Sequence, residues 1–264
     1  MSGWVGLDFW EIWRFRELML VLAGRDLKLR YKQTALGVLW VVLQPLLSAG
    51  IFAFVFGAVA RLPSGGRPYF LFSFAGLLGW KLFSTTLNQS GLSLLDNTEL
   101  ITKIYFPRLV LPAYTGLAAL VDFTVALAIL GGLYVVYGVA PGPALFLLPL
   151  WIAVLLMLAL GGGLVCSTLI VRYRDVKHVM TVVTQMLLYA SPVAYAVSAV
   201  PSSLRGYYYL NPLAAPLEAL RWSLLGTAPP PLVPLLVAVG LAVAIFVCGV
   251  VWFQTKERTF ADTI

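Results

Sequence analysis

The sequence has few charged residues and little of the side-chain chemistry on which most enzymes depend. Only 11% of its 264 residues are charged, and it contains one histidine, His178, and two cysteines, Cys166 and Cys248. A single histidine excludes a His-x-x-x-His metal pair, and no CxxC spacing occurs. Both cysteines lie in apolar runs, where they are typical of small packing residues rather than of a disulfide. We therefore expect no metal ion and no cofactor in this chain.

Two catalytic signatures are also missing. No stretch has the G-x-x-x-x-G-K-[ST] pattern of a phosphate-binding loop, so the chain is not expected to hydrolyse nucleotide itself. A Ser-His-Asp triad would have to use His178, which stands beside Lys177 at the edge of an apolar run and is more simply an interfacial histidine. The net charge is +7, but the basic residues are spread over several connecting segments. This pattern argues against nucleic-acid binding.

Apolar residues are what the sequence has in excess. They make up 61% of the chain, and the mean hydropathy is +0.92, which is far above that of a soluble domain and indicates a polytopic membrane protein. A helix needs about 20 apolar residues to cross a bilayer. Six segments meet this length: 36–60, 69–95, 109–138, 144–171, 178–200 and 232–253. We predict an all-α fold with one transmembrane domain over 1–264 and a six-span bundle over 36–253.

The segment before the first span is charged but amphipathic. Ile12, Phe15, Met19 and Leu22 fall on one helical face, and Trp10 and Trp13 add rings that favour a membrane interface. We predict that residues 1–35 form an interface helix on the membrane surface, with a soluble helical arm as the alternative. This arm is too long for the n-region of a signal peptide, so no processing is expected. Residues 254–264 are predicted to be a cytoplasmic tail.

The distribution of Lys and Arg predicts the orientation of the spans. The N-terminal arm, the loops at 96–108 and 172–178 and the tail hold thirteen of the eighteen basic residues. The opposite side holds four: Arg61, Arg67, Arg205 and Arg221. Because cytoplasmic segments carry the excess of Lys and Arg, both termini are predicted to be cytoplasmic.

Two charges lie inside predicted spans, where a lone charge is costly and often functional. Lys81 follows Trp80 in the second span and either lines a channel or extends outward to the interface. Asp122 lies midway along the third span and either pairs with Lys81 or hydrogen-bonds across the bundle. In the fourth span, Gly161, Gly162 and Gly163 form a smooth face that predicts close helix packing at a subunit seam.

The stretch at 201–231 is too polar and too rich in proline to cross a membrane. It forms either an outer loop or short helices that dip back into the bilayer. Its aromatic residues are candidates for an interfacial belt, which is the default interpretation, or for stacking on sugar rings: Tyr207, Tyr208, Tyr209 and Trp222.

A short polar island, DNTELITKIYFPRLVLP at 96–112, separates the second and third spans. Thr98 is a candidate cap for a short helix, and Leu100, Ile101 and Ile104 recur at helical spacing on an apolar face. Glu99, Lys103 and Arg108 form a charged rim. The island is either a surface onto which a partner presses or an interfacial turn whose charges reach the headgroups. The residues alone favour the turn by a small margin.

Several motifs together resemble the polysaccharide-export permeases, which are the membrane subunits of type-2 ABC exporters. The polar island is similar to their first cytoplasmic loop, from Asn97 through the Phe-Pro-Arg run to Pro112. Similar blocks occur in the same order elsewhere in the chain: RDLKLRYKQTALGVLWVVLQP ending at Pro45, Arg174-Asp175-Val176, Ser191-Pro192-Val193, Asn211-Pro212-Leu213, and ERTFADTI at the C-terminus.

The resemblance implies a coupling helix in the loop at 96–108 and re-entrant helices before the last span. Its ATPase-coupling residues would be Asn97, Thr98, Glu99, Leu100, Ile101, Lys103, Ile104 and Arg108. Arg174 and Asp175 would be a secondary contact or would cap the adjoining spans.

By the same resemblance, two copies would pair with two copies of an ATP-binding-cassette ATPase subunit that binds ATP and Mg²⁺. The cargo would be a lipid-linked polysaccharide that crosses the bacterial inner membrane. The similarity is greatest to exporters of undecaprenyl-linked O-antigen, with capsule or teichoic-acid exporters as the alternatives. A proton-coupled flippase would need more ionisable residues inside its spans, and a membrane glycan transferase would need an acid cluster in a loop. Both features are missing from the sequence.

Overall fold

The computed structural model of the chain describes residues 13–32, 38–104 and 106–263. Over those ranges every regular element is a helix, which confirms the predicted all-α class. The α-helices, in chain order, are α1 Arg16–Lys32, α2 Val38–Phe52, α3 Tyr69–Asp96, α4 Thr98–Lys103, α5 Val110–Tyr137, α6 Leu148–Arg172, α7 Val176–Ala190, α8 Ser202–Tyr208, α9 Ala214–Leu225 and α10 Leu232–Thr263.

Five helical segments of the described chain are long and apolar enough to cross a membrane. They are Val42–Val59, Tyr69–Asp96, Val110–Tyr137, Leu145–Arg172 and Leu232–Glu257. The first combines most of α2 with a π-helix at Ala53–Val59 that continues it. These segments match five of the six predicted spans, so the protein is a polytopic helical membrane protein.

The segment predicted to be the fifth span, 178–200, differs from the other five. Helix α7 ends at Ala190 because Ser191 adopts extended backbone before Pro192, which disfavours a helical conformation at the preceding residue. Its 15 residues are about 22 Å long, whereas the hydrocarbon core is about 30 Å thick. The prediction of a continuous helix to residue 200 is therefore wrong for its last ten residues. The count of six spans stays a prediction.

Helix α3 is the centre of the bundle and packs against α2, α5, α6, α7 and α9. Its apolar side chains join those of α6 in the main core, which includes Phe72, Phe74, Phe83, Trp151 and Leu155. Helices in a bilayer gain little from burying apolar area, so close packing has to hold them together. The bundle accordingly depends on small residues where its helices touch.

The glycines of α6 provide such contacts inside a single chain. A Cβ at Gly161 would lie 2.7 Å from the Ile245 carbonyl oxygen of α10, and one at Gly163 would lie 2.5 Å from the Ser90 hydroxyl of α3. The smooth face of the fourth span thus packs against α3 and α10. The prediction that it forms a subunit seam is wrong, because both neighbouring helices belong to the same chain.

The two short helices expected before the last span are present as α8 and α9. Helix α9 is buried against α3, α6 and α10. Leu217 packs against Gly79, ten residues and about 15 Å into α3, whereas the Leu224 carbonyl accepts hydrogen bonds from Gly142 and from the Tyr134 hydroxyl at the far end of α5. Helix α9 therefore runs from the interior of the bundle to its outer end. Its re-entrant position in a bilayer stays a prediction, which this depth supports.

Both ends of the chain differ from the sequence-based picture. Part of the apolar face predicted to lie on the membrane, namely Phe15, Met19 and Leu22, packs instead against a second core that also contains Phe106 and Phe253. Among the described side chains, Leu20, Val21 and Leu29 of α1 remain exposed, as does Trp13 just before the helix. Trp10 lies outside the described residues.

The predicted tail at 254–264 is not a separate segment. Helix α10 continues from the last span through Thr263.

Candidate functional site

We call the loop at 96–108 the coupling segment, after the role predicted for it. Its helix α4 is joined to α3 by a single residue. Helix α3 ends at Asp96, α4 begins at Thr98, and Asn97 between them leaves the helical conformation with φ −122° and ψ 29°. Helix α4 has six residues and ends where Ile104 adopts extended backbone. The predicted short helix in this loop is thus present, and Asn97 forms its joint with the second span.

The side chain of Asn97 is buried and fully engaged. Its amide nitrogen donates to the Ser93 carbonyl at 2.9 Å and to the Tyr114 hydroxyl at 3.3 Å. Its amide oxygen accepts a hydrogen bond of 2.8 Å from Arg25. The Tyr114 hydroxyl donates in turn to Asp26 at 2.9 Å. We call Arg25, Asp26, Asn97 and Tyr114 the elbow cluster, since together they join α1 and α5 to the end of α3.

The outward face of α4 carries charge and one exposed apolar residue. The Lys103 ammonium lies 3.1 Å from the Glu99 carboxylate, with both side chains exposed. An exposed pair at this spacing contributes only about 0.3–0.5 kcal/mol, so it leaves both charges available to a partner. Ile104 is 58% exposed. Together with exposed Thr102, these three residues form the accessible surface of α4 and of its C-terminal end.

The apolar residues predicted to face a partner do not all point outward. Leu100 and Ile101 pack against the second core and hold α4 to the body of the protein. The predicted cap is also wrong, since the Thr98 hydroxyl donates to the Leu95 carbonyl at 2.8 Å instead of accepting from the start of α4. Helical spacing identified an apolar face but could not say whether the chain itself would cover it.

Arg108 connects the coupling segment to the last helix. Its backbone N–H donates to the Glu257 carboxylate at 3.1 Å, and its guanidinium donates to the Glu257 carbonyl. Arg108 was predicted to belong to a charged rim, but it is half-buried in this contact with the C-terminal part of α10. Tyr114 and Glu257 were not identified from the sequence, because a tyrosine in an apolar run and a glutamate in a charged tail give no local signal.

The second loop lies beside the first. Arg174 and Asp175 are exposed in the turn between α6 and α7, and α7 packs against α3, whose end carries α4. Asp175 occupies the N-cap position of α7 but makes no capping hydrogen bond with its side chain. Both residues are therefore accessible, and the side chain of Asp175 does not cap the helix that follows it.

A row of polar residues follows the open face of α3. These residues succeed one another at helical spacing, which places them on one side of the helix, and they are exposed or half-buried while the rest of α3 is mostly buried: Lys81, Thr85, Asn88 and Gln89. Lys81 lies twelve residues from Tyr69, about 18 Å into the helix and thus near mid-membrane. We call this row the polar stripe. The neighbouring helix α7 adds exposed Thr181 and Gln185.

Polar groups at this depth are costly against lipid, so the stripe requires protein or water in front of it. Lys81 is exposed on the stripe, whereas Asp122 is half-buried on α5. Their suggested pairing stays a prediction.

A second polar cluster is buried between α9 and the broken end of α7. Arg221 is only 2% exposed, and it donates to the carbonyl oxygens of Pro192 at 2.7 Å and Val193 at 2.9 Å. Glu218, one helical turn earlier, accepts from the Tyr209 hydroxyl at 2.7 Å and from the Val197 N–H at 3.3 Å. Burial raises the pKa of Glu218, against the opposing effects of this Tyr209 bond and of Arg221.

The sequence analysis did not identify Glu218 and Arg221 as members of a site. Their i, i+3 spacing in a stretch too polar to be a span was the available signal.

The four aromatic residues singled out in the stretch at 201–231 have different surroundings. Tyr207 is 74% exposed on α8. Tyr208 is half-buried and donates to the Tyr195 hydroxyl at 3.0 Å, while Tyr209 is held by Glu218. Trp222 is half-buried on α9. Of the four predicted contacts, Tyr207 is the one whose ring remains largely open to an outside ligand.

The model of the ABC-2 type transporter family matches residues 17–225. This range runs from the second residue of α1 to the last residue of α9 and contains α4. The chain belongs to this family and is a membrane permease subunit of an ABC transporter.

Individual relatives narrow the class. The chain is 28% identical over 256 residues to the O-antigen export system permease protein RfbA of Myxococcus xanthus, covering 96% of this chain and 98% of the relative. It is 30% identical over 206 residues to a protein of the same name from Klebsiella pneumoniae, covering 78% and 79% of the two chains.

Proposed function

We propose that this chain is the permease of an ABC exporter that moves O-antigen, as a lipid-linked polysaccharide, from the cytoplasm across the bacterial inner membrane. The observation that carries this proposal is the similarity over nearly its whole length to a protein named as an O-antigen export permease. Both termini lie in the cytoplasm. Two copies pair with each other and with two copies of an ATPase subunit, which binds ATP and Mg²⁺ and hydrolyses the nucleotide.

The polar stripe supports the proposed path for the polymer. A glycan needs hydrogen-bonding groups through the bilayer, and the ammonium, hydroxyl and amide groups of the stripe offer them along one side of α3. The stripe lies open on a single protomer, where lipid would be a poor neighbour. When two copies assemble with these faces toward each other, both stripes border one passage and are removed from lipid.

The outward face of α4 supports the proposed contact with the ATPase. Glu99 and Lys103 present charges that can fix the register of a partner, and Ile104 presents an apolar anchor. Leu100 and Ile101 face away from this surface and hold α4 against the second core of the permease. Arg174 and Asp175 in the adjacent loop form the secondary contact.

Export in a strain that lacks its own permease tests this function. The double variant Thr85→Val with Asn88→Leu removes hydrogen-bonding groups from the polar stripe and keeps similar volumes. We expect it to insert in the membrane and to co-purify with the ATPase, but to leave lipid-linked O-antigen on the cytoplasmic side.

Thr124→Val is the matched control, because Thr124 is exposed on α5 outside the stripe and donates only to the Leu120 carbonyl of its own helix. Normal export by the double variant would contradict the proposed path. Failure of the unaltered chain to restore O-antigen export would contradict the proposed function.

A further inference from the structure

The joint between α3 and α4 is the narrowest link in the coupling segment. One residue, Asn97, separates a 28-residue helix from a six-residue helix. If the backbone at Asn97 were free to bend, a movement of α4 would change the angle between the two helices and would not move α3. The groups that hold Asn97 therefore decide how much of any movement of α4 reaches the helix that carries the polar stripe.

Asn97 is 4% exposed, and hydrogen bonds hold both ends of its amide. One partner, Ser93, lies in the same helix, whereas Arg25 belongs to α1 and Tyr114 to α5. A buried amide that loses a hydrogen-bond partner keeps its full desolvation penalty, so moving Asn97 away from these groups is unfavourable. Three separate helices thus set the angle of the joint.

Tyr114 is the group that closes the elbow cluster. Its ring is 2% exposed in the second core, and its hydroxyl lies between the Asn97 amide and the Asp26 carboxylate. Arg25 contacts the same two partners from the other side, at 2.8 Å from Asn97 and 3.1 Å from Asp26. The four side chains form a closed ring of hydrogen bonds rather than a set of separate pairs.

We propose that Tyr114 and Arg25 are positioning residues, which lock Asn97 so that α4, the end of α3 and the interface helix α1 move as one rigid body. The proposal rests on the proposed function, in which α4 receives the movement of the ATPase. It assigns a mechanical role to α1, for which the sequence predicted only a position on the membrane surface. Loosening the cluster should separate ATP hydrolysis from export without preventing the ATPase from binding.

Tyr114→Phe tests this role with the loss of one oxygen atom. The ring stays in the second core, while the bridge between Asn97 and Asp26 is removed. With the permease and its ATPase co-purified in lipid nanodiscs, we expect ATP hydrolysis to continue. We expect the amount of polymer exported per ATP, measured in vesicles, to fall roughly tenfold, the scale of one buried hydrogen bond. Arg25→Gln should have the same effect from an exposed position, where it does not threaten folding.

Thr115→Val is the matched control. It also removes a buried hydroxyl from α5, one residue further on, but that hydroxyl donates only to the Pro112 carbonyl of its own helix. We expect normal export per ATP from this variant. Similar losses in Thr115→Val and Tyr114→Phe would overturn the proposal, since they would report general destabilisation.

A distance measurement gives a readout that simple destabilisation would not change. Spin labels at exposed Thr102 on α4 and exposed Lys28 on α1 should keep one narrow distance distribution with and without ATP. In Tyr114→Phe the distribution should broaden. An unchanged distribution together with normal export per ATP would overturn the proposal, as would loss of ATPase binding by Tyr114→Phe. Failure of the unaltered chain to co-purify with any ATPase would instead count against the proposed function.

Discussion

The guanidinium of Arg221 lies 3.9 Å from the ring centre of Phe72, so that a buried charge rests on the face of an aromatic residue of the central helix. The same guanidinium binds the carbonyl oxygens at the broken end of α7. These groups lack helical partners because α7 stops at Ala190. Arg221 of α9 therefore provides hydrogen bonds to the backbone at this break and contacts both α3 and the segment after α7.

Arg221→Gln should destabilise the protein strongly. The substitution leaves the buried carbonyl oxygens of Pro192 and Val193 without their donor, and each unsatisfied group costs about 1–3 kcal/mol. We expect a clear fall in the thermal unfolding temperature of the purified permease. Arg205→Gln is the control, since exposed Arg205 also donates to two backbone carbonyls, those of Val200 and Ser198. Equal unfolding temperatures for the two variants would show that burial of Arg221 contributes nothing.

Gly249→Ala should push α6 and α10 apart. A Cβ at this position would lie 2.5 Å from the Gly161 carbonyl oxygen, which is backbone and cannot rotate away. Overpacking of this kind costs about 1–3 kcal/mol, more than alanine gains in helix propensity. Gly240→Ala on the same helix meets nothing within 4 Å and should be neutral or slightly stabilising. The thermal unfolding temperatures of both variants in detergent check this, and a stable Gly249→Ala protein would contradict the packing.

Ile104→Asp should weaken ATPase binding without unfolding the permease, because Ile104 is exposed directly after α4. Co-purification of the ATPase from membranes measures the effect. We expect at least a tenfold loss of the bound ATPase, as when an apolar anchor worth about 1.4 kcal/mol or more is removed from an interface. Ile101→Asp provides the comparison, since it places a charge against the second core and should reduce the amount of folded permease. Normal ATPase recovery with Ile104→Asp would exclude this face of α4.

Substitutions in the tyrosine run should separate an external contact from an internal support. Tyr207→Ala should impair export while the protein stays folded, if its exposed ring stacks on sugar. Rescue by Tyr207→Leu would indicate membrane anchoring instead. Tyr209→Phe should lower the unfolding temperature by removing the hydroxyl that binds Glu218, at a cost of about 1–3 kcal/mol. An unchanged unfolding temperature would show that this hydrogen bond is not stabilising.

Cysteine labelling should report the orientation of the bundle. Starting from a variant without Cys166 and Cys248, a cysteine at exposed Ser203 should react with a membrane-impermeant maleimide from outside the inner membrane. One at exposed Thr102 should react only after the membrane is opened. The physical basis is the excess of Lys and Arg on the side of α4. The reverse pattern would invert the topology.

Patterns that repeat along the chain were predicted well. Long apolar runs located five spans, and the polar island located α4 at Thr98–Lys103, because hydropathy over many residues is a strong signal. The direction in which a single residue points was predicted poorly. Leu100 and Ile101 lie on the predicted apolar face, yet only the tertiary structure shows that the second core of the same chain covers it.

Contacts between distant residues were beyond the reach of any local pattern. Arg25 and Asn97 are 72 positions apart, and Arg108 and Glu257 are 149 apart. Each of these residues resembles an ordinary charged or polar loop residue until its partner is known. The break in α7 was partly predictable. Pro192 was a local signal for the end of a helix, but the apolar run around it favoured a longer helix.

The open polar stripe has a consequence for how the protein is made. Under the proposed pairing of two copies, a newly inserted copy that has not yet paired exposes Lys81 and Asn88 to acyl chains near mid-membrane. Polar groups against lipid are costly, so an unpaired copy is less stable in the membrane than a paired one. Excess permease should therefore have a short lifetime in the cell, and its abundance should be set by the rate at which copies find each other.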